Sequence, residues 1–277
     1  MGLQIEERKR PAAPFRLALA VAILSLAVVV FGVVVRVSGS GLGCPDWPLC
    51  YGSVVPPAVG AAIIEFTHRL VAGLFMAGVY WLAIVAWRGR AAAPAASWEG
   101  QARRALAVIS LSAAVVVTFQ AVLGGLNVLT ELSPGVGGAH VVTATIVVAL
   151  QASALVLARS AGALPPPLQA QAGRTGTWRL ALWTSVAALV VAGLGGYVRA
   201  TGASLACTDW PLCGGSLLPR EGWPFVLQWS HRAAAAVLGV LVLAGAVRAG
   251  GVWWLAAALY ATQVGLGALN VVWMVPA

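Results

Sequence analysis

Apolar residues run along this chain in seven long blocks, and the polar residues collect between the blocks. Each block has about the 20 residues a helix needs to cross the hydrocarbon core of a bilayer. The pattern predicts membrane-spanning helices at 17–37, 61–87, 105–129, 137–158, 179–199, 225–247 and 251–273. The first block follows "EERKR", as a signal peptide would. It runs on to Val37 without a small-residue cleavage site, so it reads as a span.

Composition strengthens this picture. The 277 residues are 60% hydrophobic and 9% charged, against about a quarter charged in a soluble domain. The net charge of +9 comes from basic residues in short segments between apolar blocks, which speaks for topology rather than nucleic-acid binding. Twelve of the 17 basic residues precede span 1 or follow spans 2, 4 and 6. The positive-inside rule then predicts a cytoplasmic N-terminus, with the loops after spans 1 and 5 outside the plasma membrane.

Those two loops carry nearly the same text: "RVSGSGLGCPDWPLC" at Arg36–Cys50 and "RATGASLACTDWPLC" at Arg199–Cys213, offset by 163. The same offset carries "EFTHR" (Glu65–Arg69) onto "QWSHR" (Gln228–Arg232). A second block, "QAVLGGLN" at Gln120–Asn127, matches "QVGLGALN" at Gln263–Asn270 at an offset of 143. The chain therefore reads as an all-α polytopic membrane protein built from two tandem, parallel four-helix bundles related by an axis along the membrane normal. The counterpart of His140 would fall six residues beyond Ala277. Eight spans are expected and seven are present, so the expectation is a truncated second copy. The domain reading is a cytoplasmic segment at 1–16, a four-helix half at 17–158, a linker at 159–178 and a three-helix half at 179–277.

The four cysteines all lie in the two repeated loops. Cys44–Cys50 closes a short turn with two prolines and Cys207–Cys213 one with a single proline, and an oxidising compartment lets such bonds persist. Two readings stand: a redox-active or site-organising disulfide, and a staple that stiffens the loop. A metal site is disfavoured, because the loops hold no histidine.

All three histidines lie within spans, near the end that carries these loops. His68 is roughly 10 Å into its helix at 1.5 Å per residue. His231 repeats its position and His140 opens span 4. Imidazoles from facing helices of one bundle form an axial pair for a heme. Glu65 lies one turn before His68, and a carboxylate within a membrane marks a functional site by default. Its blander reading is a counter-ion for Arg36 or Arg69. Against that, both arginines persist in the second copy as Arg199 and Arg232, whereas Glu65 becomes Gln228. The first copy is the candidate reaction site. Arg36 and Arg199 could grip heme propionates through paired hydrogen bonds or simply anchor the helix ends. Gly124–Gly125 and Gly195–Gly196 read as close helix packing.

Taken together, the twin four-helix halves, "EFTHR", "QWSHR", His140 and the cysteine pairs resemble the heme A synthase family over about residues 15–277. The resemblance implies a membrane oxidoreductase that converts the substrate heme O to heme A for terminal oxidases, by successive hydroxylations of a ring methyl and loss of water. It implies that His68 and His140 face the substrate, with Glu65 essential. His231 and a histidine on the last helix would hold a heme b cofactor. Cys44–Cys50 would match the family's outer-loop disulfide. An electron donor and heme O synthase are the implied partners, within the lipid bilayer. The alternative is a bis-histidine diheme b-type carrier or quinol oxidoreductase without heme modification. A transporter and a disulfide-relay protein are more distant readings.

Overall fold

The computed structural model describes residues 13–160, 177–218 and 221–273. The basic residues Arg8, Lys9, Arg10, Arg174 and Arg220, and most of the expected linker at 159–178, lie outside the described residues. The described residues form seven long α-helices: α1 Ala13–Val37, α2 Gly60–Gly89, α3 Trp98–Leu129, α4 Pro134–Ser160, α5 Thr177–Ala200, α6 Trp223–Ala249 and α7 Val252–Val272. A single 3-10 turn at Ala203–Leu205 follows α5. All seven helices are long and apolar enough to cross a membrane. A helix meets every backbone hydrogen bond within itself, so it is the form such a sequence must take in hydrocarbon. The protein is an all-helical, polytopic membrane protein.

Most helix ends fall within a few residues of those expected from hydropathy, and α3 is the exception. It begins at Trp98 rather than 105, because a polar first turn is stabilised by contacts that hydropathy does not register. The Gly100 N–H donates to Ser97 Oγ at 3.1 Å, and Arg103 pairs with Glu99 at 2.7 Å, one turn away.

The helices sort into two compact units. The first comprises the described residues of Met1–Val122 and Ile146–Pro165, the second those of Leu123–Thr145 and Pro166–Ala277. The first unit has two apolar layers. One, around Leu82, Ala86, Ala107 and Ala154, uses mainly alanines to bring helix backbones close. The other, around Val21, Phe75, Val79 and Val117, lies nearer the disulfide-loop end of α2. In the second unit, α4 packs on α5 through glycines. A Cβ on Gly193 would stand 3.0 Å from Val142, and one on Gly196 3.3 Å from Val141.

Candidate functional site

The first repeated loop is held together from inside. Cys44 and Cys50 form a disulfide, with both residues wholly buried against Ala62 and Phe66 of α2. Gly43 allows the loop to approach this closely, since a Cβ there would lie 2.2 Å from the Ala61 carbonyl oxygen. The Asp46 carboxylate accepts the N–H groups of Tyr51 at 2.6 Å and Gly52 at 2.7 Å. Both residues have positive φ, which turns successive N–H groups toward one anion. The second loop repeats this plan. Cys207 and Cys213 are bonded and buried, and Asp209 accepts the N–H groups of Gly214 at 2.5 Å and Gly215 at 2.7 Å. Trp47–Pro48 and Trp210–Pro211 are both cis. Burial of both disulfides favours the staple reading, because a soluble thiol has no path to either sulfur.

Hydrogen bonds from Gly52 hold the Asp46 carboxyl below the usual carboxylate range, and Gly215 does the same for Asp209. A depressed folded pKa contributes loop stability above the unfolded value near 4 and loses it as pH falls through the folded value. Asp46→Asn should therefore speed reduction of Cys44–Cys50 by a water-soluble phosphine at pH 7. Measured relative to an exposed model disulfide at each pH, the wild-type rate should stay flat from pH 7 to about 5 and rise only in stronger acid. A wild-type rate already climbing at pH 6 would contradict this assignment.

An arginine clamps each loop onto the helix that follows it. Arg69 donates through its terminal nitrogens to the carbonyls of Asp46 at 2.8 Å, Leu49 at 2.7 Å and Cys44 at 3.1 Å. Its Nε donates to Glu65 Oε1 at 3.1 Å. Arg232 binds the carbonyls of Asp209 at 2.7 Å, Cys207 at 3.1 Å and Leu212. Of the two counter-ions the sequence offered Glu65, the structure selects Arg69. Arg36 is exposed at the end of α1, Arg199 is half-buried at the end of α5, and neither side chain pairs with a described residue.

Glu65 is 6% exposed. Its Oε1 is engaged by Arg69, and its Oε2 has no hydrogen-bond partner among the described residues. Gln228, in the matching place, does something else: its Nε2 donates to the Ser204 carbonyl at 3.1 Å. Arg232 thus holds its loop without a carboxylate. The clamp does not require Glu65, which leaves the carboxylate free for another purpose.

Each histidine ring rests on a glycine. A Cβ on Gly32 of α1 would lie 3.3 Å from His68 Cε1, and one on Gly195 of α5 2.9 Å from His231 Cε1. Within the second unit, a Cβ on Gly124 of α3 would lie 3.4 Å from His140 Cε1. Nδ1 of His68 and of His231 is buried and makes no hydrogen bond of normal geometry, although the backbone of Val191 interacts with the His231 ring. Both residues are only half-buried as a whole. The accessible edge of each ring is therefore the one bearing Nε2, the arrangement an axial heme ligand needs. The sequence had assigned Gly124 and Gly195 to helix packing. Gly196 does pack on a helix, but Gly195 and Gly124 accommodate imidazoles. The signal for Gly32 and Gly195 was present, since the 163-residue offset relates them, as it relates His68 and His231.

Comparison with known proteins fits these features. The COX15-CtaA family, described as cytochrome oxidase assembly protein, matches residues 15–277. A heme A synthase of Symbiobacterium thermophilum is 35% identical over 263 residues, covering 88% of this chain and 81% of its own. Heme A synthases of Halalkalibacterium halodurans and Bacillus licheniformis are 34% and 33% identical, over 78% and 82% of this chain and 69% and 72% of theirs. With a family match spanning nearly the entire sequence and relatives this similar over most of their length, the chain belongs to the heme A synthase family.

Proposed function

We propose that this protein is a membrane oxidoreductase that converts heme O to heme A for terminal oxidase assembly, by oxidising a ring methyl to a formyl group. The observation that carries the reading is the difference between the two copies. A buried carboxylate with one free oxygen stands one turn from His68, and an amide bonded to the backbone replaces it beside His231. One copy retains an ionisable group where the other has only a scaffold.

In this reading the imidazoles of His68, His140 and His231 would hold heme iron. His68 and His140 serve the substrate heme O, and His231 serves a resident heme b. Heme iron, when bound, supplies the redox chemistry. The chain's own residues orient the porphyrin and move protons. With dioxygen as oxidant and oxygen source, each of two hydroxylations takes up two electrons and two protons, places one oxygen atom on the methyl carbon and releases the other as water. The resulting gem-diol loses one water to give the aldehyde. Glu65 Oε2 accepts and relays the protons taken up at that edge, while Arg69 fixes the other oxygen. Arg36 and Arg199, uncommitted at the ends of α1 and α5, suit propionates. The repeat halves at 17–158 and 179–277 then divide the labour between reaction and cofactor. The N-terminus faces the cytoplasm and the disulfide loops lie outside the plasma membrane. A heme O synthase supplies the substrate and a separate donor the electrons.

The test is an acid-solvent extract of the protein expressed where heme O is available, separated chromatographically with mass detection. Heme A in the extract is the expected result. Heme B alone, bound in low-spin form, would replace the proposal with a b-type electron carrier.

A further inference from the structure

A buried ring can lie against a helix backbone only where that helix has no side chain. Gly195 creates such a place for His231. A methyl there would sit 2.9 Å from Cε1, closer than carbon atoms approach one another in proteins, with Nδ1 at 3.4 Å and Nε2 at 3.7 Å. Three further facts bear on its role. Gly32 holds the same relation to His68 in the first unit, with 3.3 Å to Cε1. The next residue, Gly196, faces Val141 rather than the ring, so the two glycines of the pair do different work. The residues that follow the histidines, Arg69 and Arg232, are tied to their loops by several carbonyl bonds each, which fixes the backbone that carries the imidazoles. With the backbone fixed on one side and the ring floor on the other, the imidazole has little freedom left.

We infer that Gly195 is a positioning residue for His231, and Gly32 for His68: each provides a floor against the Cε1 side of the imidazole that sets the ring orientation from which Nε2 would meet iron. The inference rests on the heme reading above and adds residues on α1 and α5 that carry no ligating atom. The close approach at Gly195 is also the tighter of the two, so the second copy should be the more sensitive to an added methyl. At Gly32 the ring needs to give by only a few tenths of an ångström.

The experiment uses the full protein purified with its heme. The heme's spin state and ligation are read by electron paramagnetic resonance and by the reduced α-band, and retention by competition with an apo-heme acceptor. Wild type should show a heme signal that His231→Ala removes. Gly195→Ala should shift that signal and weaken retention about tenfold, within the range seen when a ligand's supporting contacts are lost. Gly32→Ala should have a smaller effect, confined to the substrate heme. Gly196→Ala should leave the spectrum unchanged even if it lowers yield, since it disturbs only helix packing.

Should Gly195→Ala fail to fold, the same question is put in a His231→Gly background, where the added methyl has no ring to displace. Free imidazole should restore the wild-type heme signal there, and should do so about tenfold more weakly once Gly195→Ala is added. Equal rescue, or a wild-type spectrum in Gly195→Ala alone, would overturn the inference while leaving the heme reading intact. A wild type without heme, or a His231→Ala variant that keeps it, would instead remove the reading on which the inference rests.

Discussion

Glu65→Gln is expected to keep heme bound and to lower heme A formation by about 10²–10⁴-fold, the usual contribution of a positioned proton-transfer group. The substitution is nearly isosteric and already has a precedent in the chain, because Gln228 occupies the matching site. An amide fits this place without disturbing the histidine one turn on or the arginine clamp, as the second copy demonstrates with Arg232 and its loop carbonyls. What the amide cannot do is exchange a proton. Heme content and low-spin spectrum should thus match wild type while the extract contains heme O in place of heme A. An undiminished heme A yield in Glu65→Gln would end the case for this carboxylate. Loss of heme together with product would assign Glu65 to binding rather than to proton transfer.

The helices were legible in the sequence because lipid leaves few alternatives to a helix twenty residues long. Where polar contacts rather than hydropathy decide, as at Ser97 and Glu99, the start of α3 was missed by seven residues. The paired loops and the Glu65/Gln228 difference followed from a single offset, and the disulfides from cysteines spaced to close a short turn. The arginine clamps did not. Arg69 reaches carbonyls 20 to 25 residues away, and a backbone carbonyl carries no residue-type signal. The glycine floors were missed for a related reason: a ring seated on a glycine and a helix packed on a glycine look alike until side-chain directions are known. Only their joint repetition with the histidines separates the two.

Arg69→Met is expected to destabilise the protein by about 3–5 kcal/mol, the range for breaking a buried ion pair by removing one partner. Arg232→Met should cost less. Both variants release loop carbonyls, but only the first strands a carboxylate, because the Arg69–Glu65 pair has side chains 13% and 8% exposed and Arg232 has Gln228 in that place. The comparison is made by the midpoint of thermal unfolding in detergent, with Glu65→Gln and the double variant completing a cycle. In the double variant the stranded charge is gone, so part of the Arg69→Met loss should return. Equal losses for the two arginines, with no recovery in the double variant, would show that the pair adds nothing beyond the loop bonds. The cycle also separates the two roles open to Glu65. A carboxylate kept only for Arg69 would make Glu65→Gln lose stability and activity together. A carboxylate that moves protons through its free oxygen should lose activity far out of proportion to any change in the unfolding midpoint, and the geometry of Oε2 favours that outcome.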